Sequence, residues 1–461
     1  LPWYVFDNSY LKVSIQQIKN HSKIRFLKQT IVFSDIFILM DEEIKKDAQL
    51  AQEYWETLGP GLTTGASDDD PSGIATYSQA GAQYGFSTLW LSVYTLPLMI
   101  VVQEMCARIG LVTGKGLAAN IKKFLPRWVL VVSTILLLIA NIMNLGADLG
   151  AMSSALMLLF PKINFVFGLI IFAGASLALQ IFLNYRTYAK YLKWLTIALL
   201  SYAISALSIK LPWREMLLHS FIPEISFTKE GLFLLCAFLG TTISPFLFFW
   251  QTSQEIEEKN DGNLDKTIGV KEEVRKMRID VASGMFFSNL ATFFIISACA
   301  GTLYAAGITN INTAADAALA LRPFAGDFAF ILFAVGIIGT GLLAIPIMAG
   351  SAAYALSETF GWKAGLNRKY KNAPHFYGVI IFSVIVGFII NLLGIDPIKA
   401  LLWAAVINGV IAPVIIAIIT LIASKRDIMG QAKNSIIQNV LGWFTVVIMG
   451  VVAFLAIYFM F

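Results

Sequence analysis

The chain has 461 residues, 57% hydrophobic and 14% charged, with a net charge of +5. A soluble domain runs at about 45–50% apolar and about 25% charged residues, so the surplus has to face lipid. These figures exclude a disordered chain, and three scattered cysteines in apolar stretches (Cys106, Cys236 and Cys299) exclude a disulfide scaffold and read as small buried hydrophobes.

Residues 1–39 carry no sustained helical period, and the apolar stretch Thr30–Met40 is too short to span a bilayer. They also lack the parts of a signal peptide. Met40, followed by Asp41-Glu42-Glu43, reads as the start of an amphipathic leader, so residues 1–39 are expected to be an upstream extension without a structural role. Residues 1–56 as a whole are expected to be cytoplasmic.

Eleven spans are predicted, at 57–82, 87–108, 128–158, 163–183, 191–210, 230–258, 279–306, 326–357, 376–394, 397–423 and 436–460. With the N-terminus inside, 28 of the 34 Lys and Arg residues fall on the cytoplasmic side. The positive-inside rule therefore predicts a multi-pass protein of the plasma (inner) membrane, with its N-terminus in and its C-terminus out. That topology explains the short basic loops without a nucleic-acid-binding patch. The charged run Glu255–Arg278 reads as a solvated cytoplasmic loop that starts span seven.

Spans one and six are interrupted in the same way. Span one, Leu58–Gly81, carries Asp68-Asp69-Asp70-Pro71-Ser72-Gly73 at its centre, and span six, Leu239–Glu255, carries Ser244-Pro245. Proline removes a backbone donor and disfavours helix in its predecessor, so both spans should unwind there. Unwound backbone at membrane depth has to line a cavity or be buried in protein. Broken helices opening two successive five-span halves mark an inverted repeat. The expected units are residues 57–210 and 230–423, with 436–460 as an additional helix.

Charge at the bilayer centre costs about 2.5–3.5 kcal/mol per residue on insertion scales, so the three aspartates need a cause. Asp70, directly before the break and among freed carbonyls and hydroxyls, makes a hard-oxygen cation site. No Lys or Arg lies within the spans beside it, so the counter-charge is expected to be the substrate. Asp68 and Asp69 either sit in a solvated vestibule or line the pathway. Asp148, a further intramembrane acid, is expected to face the water-filled path. Thr241 either lends an oxygen to the ion or bonds its own backbone. Gln251 either holds an ion-bound water or ties span six to span ten, and Asn408 either does the same or packs helices. His219 and His375 fall in loops and His21 in the leader, which argues against a histidine metal site or proton relay.

Asp70-Pro71-Ser72-Gly73 resembles the DPGN motif in span one of the Nramp divalent-metal transporters. Ser244-Pro245-Phe246 stands where that family has MPH, and Gly146-Ala147-Asp148-Leu149 resembles its T-D-L-A-E segment in span three. The resemblance covers the chain from about residue 57 and implies an all-α, five-plus-five fold of the LeuT type, broken in helices 1 and 6. It also implies metal-site positions at Asp70, Gly73, Thr241 and Ser244.

The departures carry as much information as the matches. The family's metal-binding Asn corresponds to Gly73 and its methionine thioether to Ser244. The adjacent histidine, implicated in proton handling, corresponds to Phe246, and two span-three glutamates correspond to Ala151 and Asn141. Loss of a soft ligand removes the preference for Mn, Fe and Cd, and a roomier, harder site suits a strongly hydrated ion such as Mg2+. The pattern resembles the magnesium-transporting branch related to Nramp.

The expected function is alternating-access transport of hydrated Mg2+ and Mn2+ by proton-uncoupled uniport. A proton-coupled Mn2+/Fe2+ symporter is one alternative. An amino-acid symporter is another, disfavoured because three aspartates repel a carboxylate. No HExxH, GxSxG or phosphate-cradling loop suggests an enzyme. No cofactor, nucleic acid or obligate protein partner is expected, only divalent ions and the lipid bilayer.

Overall fold

The computed structural model describes residues 49–123, 126–183, 185–261, 270–309, 311, 314–393 and 397–460. The expectations for residues 1–39 and for Met40–Glu43 lie outside these residues. Residues 49–57 form a helix in a unit of their own, where Thr57 Oγ1 donates to the Glu53 carbonyl at 2.9 Å.

From Leu58 onward the described chain is one all-helical unit. Its principal helices are α1 (Pro60–Asp68), α2 (Pro71–Tyr84), α3 (Leu89–Thr113), α4 (Arg127–Leu159), α5 (Phe165–Phe182), α6 (Tyr185–Leu195), α7 (Leu200–Leu207) and α8 (Trp213–Phe221). They continue with α9 (Lys229–Thr242), α10 (Pro245–Asp261), α11 (Val270–Cys299), α12 (Ala314–Phe360), α13 (Pro374–Leu392), α14 (Pro397–Ser424) and α15 (Ile436–Met460). Among the described residues, nine helical stretches are long and apolar enough to cross a membrane, the first of them running from Pro71 to Thr113. The segment expected as span five is α6, a 3-10 turn at Thr196–Leu199, and α7.

Both predicted interruptions are present. The first span ends α1 at Asp68 and starts α2 at Pro71. Between them Asp69 leaves helical geometry (φ −85°, ψ 49°) and Asp70 is extended (φ −65°, ψ 166°). Proline in the first helical position tolerates the lost donor and pushes its predecessor out of the helical region. The second span repeats the device, with Ile243 at φ −121°, ψ 62° and Pro245 opening α10.

α1 is a short helix without a side-chain cap of its own. Asp280 of α11 supplies the cap, accepting from the backbone N–H groups of Gly59 (2.7 Å), Gly61 (2.6 Å) and Leu62 (2.9 Å). These donors would otherwise be orphaned. The two helices meet backbone to backbone. A Cβ on Gly65 would lie 2.2 Å from the Gly284 carbonyl oxygen, and one on Gly284 would lie 2.0 Å from that of Gly61. Small residues at such crossings are how membrane helices approach closely.

The lipid-facing surface is as clear as the core. On α15, Val440, Val447 and Phe454, seven residues apart, are all exposed, whereas Tyr77, Phe238, Phe246 and Trp250 are fully buried around the breaks. Cys106, Cys236 and Cys299 are free and buried.

Three expectations are corrected. Glu255–Asp261 is not a solvated loop: it continues α10, and Glu257 is buried, accepting from Tyr354 Oη (2.7 Å) and the Leu366 N–H (2.9 Å). Residues 262–269 lie outside the described residues, and Val270–Arg278 belong to α11. His219 and His375 sit in helices, on α8 and in the first turn of α13. A buried cation also exists: Arg108 in α3 donates to Glu104 at 2.9 Å, to Asn434 at 2.5 Å and to the Ala432 carbonyl, so its guanidinium is engaged there.

Candidate functional site

The first break places Asp70 at the N-cap of α2. Its Oδ1 accepts from the Gly73 N–H at 2.5 Å and from Ser72 Oγ at 2.6 Å. Asp148, from the middle of α4, accepts the Ser72 N–H through Oδ1 at 3.1 Å, and its Oδ2 has no hydrogen-bond partner. Ser72 therefore holds two carboxylates from different helices, one by its hydroxyl and one by its amide. The positive end of the α2 dipole favours this negative charge. Asp70 is 3% exposed and Asp148 is 0%, so the pair is enclosed by protein.

Gly73 contributes its N–H and no side chain. A Cβ there would meet the Asp68 carbonyl oxygen at 3.0 Å and Asp70 Oδ1 at 3.3 Å. The glycine keeps the oxygens at the break uncrowded.

The second break supplies hydroxyls. Ser244 Oγ, buried, donates to the carbonyls of Gly240 (2.7 Å) and Thr241 (2.8 Å), and Thr241 Oγ1 donates to that of Phe238 (3.1 Å). Each hydroxyl keeps acceptor capacity. No hydrogen bond of Ser244 or Thr241 reaches Asp70 or Asp148 among those described. The two broken spans meet where Tyr77 Oη and Thr242 Oγ1 lie 3.3 Å apart and the Tyr77 and Phe238 ring centroids lie 5.1 Å apart.

Asp68 and Asp69 turn toward α11. Asp68 Oδ2 accepts from Ser288 Oγ at 3.3 Å and Asp69 Oδ1 from Thr292 Oγ1 at 3.1 Å. Both aspartates are fully buried, which overturns the solvated-vestibule reading. Gln251 donates to Glu255 on its own helix at 2.9 Å, and among the described residues no hydrogen bond ties it to span ten. Asn408 is buried in α14, and its neighbour Gly409 packs against Cys236 of α9. Asn141 donates to the Met348 carbonyl (3.1 Å) and to Ser351 Oγ (2.9 Å), both on α12.

Among the described residues, no three of His, Cys, Asp and Glu converge as a metal-ligand group, and no ion pair reaches Asp68, Asp69, Asp70 or Asp148. Sequence reasoning missed the double role of Ser72 and the parts of Tyr77, Ser288 and Thr292. The last two were visible as an i, i+4 hydroxyl pair in an apolar span, a spacing that puts both on one helix face.

Comparison with known proteins bears on the family and the fold. A divalent metal cation transporter of Erwinia tasmaniensis, MntH, is 25% identical over 85% of this chain and 91% of its own. The MntH of Deinococcus radiodurans is 24% identical over 85% and 87%. Among solved structures, a manganese transporter of Eremococcus coleocola superposes with a TM-score of 0.69 at 19% identity, covering 88% of this chain and 86% of that one. The nucleobase-cation symporter Mhp1 follows with a TM-score of 0.55 at 13% identity, covering 86% of this chain and 92% of that one. At these identities the structural likeness bears on the fold alone, and that fold is of the LeuT type. Residues 61–460 match the family model described as natural resistance-associated macrophage protein-like. The chain belongs to the Nramp family.

Proposed function

We propose that the protein moves hydrated divalent cations, Mg2+ and Mn2+, across the plasma membrane by alternating access, as a uniporter without proton coupling. The observation that carries this reading is the Asp70–Ser72–Asp148 arrangement at the break of span one. Two buried carboxylates without a protein cation match the charge of one divalent ion. The side chains of Asp70, Ser72, Asp148 and Ser244 offer oxygen, and Ser244 puts a hydroxyl where the resemblance has a thioether. Mg2+ dehydrates reluctantly and is held by one or two carboxylates with waters retained, which such a sparse donor set suits. The relatives named as divalent metal cation and manganese transporters support the substrate class.

The halves 57–210 and 230–423 act as the two repeats around this site, with residues 436–460 beside them, N-terminus in and C-terminus out. Absence of coupling rests on three positions. Phe246, Ala151 and Asn141 do not titrate, and Asn141 spends its amide on α12. A divalent ion entering a negative cell gains about 4.6 kcal/mol per 100 mV, twice the single-charge value, so voltage alone drives accumulation.

The test is uptake into proteoliposomes holding the full chain, with a potassium-diffusion potential and a lumenal pH dye. Voltage-dependent Mg2+ and Mn2+ entry without lumenal acidification is the expected result. Metal-dependent acidification above that of empty liposomes replaces uniport with proton-coupled Mn2+/Fe2+ symport.

A further inference from the structure

The connection from α7 to α9 joins two consecutive membrane-spanning segments, so both of its ends lie at one face of the membrane, and its middle is the nine-residue helix α8. At about 100° per residue, the side chains of α8 sort into three sides. Met216 and Ser220 are buried, where α8 packs on α3 and on the 3-10 turn Gly85–Thr88. Trp213, Leu217 and Phe221, at i, i+4 and i+8, stand on the next side with Leu218 beyond them, and all four are exposed, by 45% to 63%. Glu215 and His219 hold the third side, where His219 Nδ1 lies 3.3 Å from Glu224 Oε1. Two hydrogen bonds fasten the connection to span two. Tyr94 Oη donates to the Phe221 carbonyl at 3.2 Å, and Trp90 Nε1 donates to the Glu224 carbonyl at 3.2 Å.

An exposed run of four large apolar side chains marks a contact surface rather than a face in water. Two observations make the bilayer its occupant. On α7, Leu200, Ile204 and Leu207 are exposed at i, i+4 and i+7, so an apolar row on a membrane-spanning segment leads along the chain into the apolar side of α8. Arg214 lies between Phe221 and Leu218 around the helix axis, and among the described residues no ion pair includes it. A packed protein interface would bury that guanidinium without a partner. At headgroup level its stem can lie along apolar surface while the charge reaches lipid phosphate. Trp213, Trp90 and Tyr94 add the aromatic side chains that favour this boundary. We infer that α8 is an interfacial helix, lying along the membrane surface with Trp213, Leu217, Leu218 and Phe221 in the phospholipid leaflet and Glu215 and His219 in water. The leaflet is then a partner of the connection itself, and this holds whichever ion the protein carries.

The experiment is nitroxide accessibility on the full chain in nanodiscs of phosphatidylcholine and phosphatidylglycerol. Labels are placed through Leu217→Cys, Phe221→Cys and Glu215→Cys, one per protein, with unmodified protein as the control for labelling of the buried Cys106, Cys236 and Cys299. Collision rates are read with oxygen, which partitions into the bilayer, and with a water-soluble nickel chelate. The oxygen-to-nickel ratio should be several-fold higher for Leu217→Cys and Phe221→Cys than for Glu215→Cys. Equal nickel access in all three would place the whole helix in water and overturn the inference. Shielding of the Leu217→Cys and Phe221→Cys labels from both reagents, with spin–spin broadening between labels, would make a second copy of the chain the occupant and overturn it equally.

Discussion

The hydroxyls of Tyr77 and Thr242 meet at 3.3 Å and join α2 to α9, the half-helices that flank the two breaks. Tyr77 lies seven residues beyond Asp70, two turns along α2, so the bridge is placed to couple movement of one broken span to the other beside the proposed ion site. A buried hydrogen bond between neutral groups contributes about 0.5–1.5 kcal/mol net. Tyr77→Phe should therefore slow transport several-fold while leaving Mn2+ affinity close to that of the wild type. Uptake rates and binding isotherms measured on the same preparation check this, and an unchanged rate would show that the bridge does not couple the halves.

Asp70→Asn keeps the shape of the N-cap and its acceptor oxygen but removes the charge. Transport should be abolished, with elution as a single species and unchanged helicity by circular dichroism. Asp148→Asn should weaken binding too, since Ser72 holds both acids.

Selectivity should respond to one atom type. Ser244→Met brings sulfur to the second break and is expected to shift preference from Mg2+ toward Mn2+ and Cd2+. Adding Gly73→Asn is expected to cost stability, because its Cβ would press on the Asp68 carbonyl oxygen and Asp70 Oδ1. Competition of Mg2+ and Cd2+ against Mn2+ uptake reads the first effect and thermal melting the second. A wild-type protein that carries Cd2+ and ignores millimolar Mg2+ contradicts the hard-site argument.

Asp280 should be a structural acid. Losing an N-cap costs about 0.5–2 kcal/mol, and here one carboxylate serves three donors. Asp280→Ala should raise amide hydrogen exchange across residues 59–68 well before it changes the rest of the bundle. Protection unchanged in that window would falsify the role.

Much of this was legible in the chain itself. Proline directly after a polar residue, twice at mid-span, located both breaks to within a residue or two. Positions 70 and 148 stood out because intramembrane carboxylates are costly. What the sequence hid was partnership. Nothing local says that Ser72 faces Asp148, 76 residues later, or that Asp68 and Asp69 turn to α11 rather than to water. Those facts depend on which helix packs against which. The helical continuation through Glu255 and Glu257 was hidden for the same reason: a charged run reads as solvated until Tyr354 and the Leu366 amide are seen to satisfy Glu257.

The glycine crossing of α1 and α11 limits how the protein can change shape. With Gly61, Gly65 and Gly284 in backbone contact, a shift of one residue along the crossing would drive Leu62 or Ala66 into space occupied by main-chain atoms. Sliding is therefore sterically closed, and separation is the remaining motion. A departure of α1 has to pivot where Asp69 and Asp70 leave helical geometry, which predicts a hinge rather than a shear. On the proposed reading the pivot is also the ion site, which makes opening of the lever and release of the ion one event.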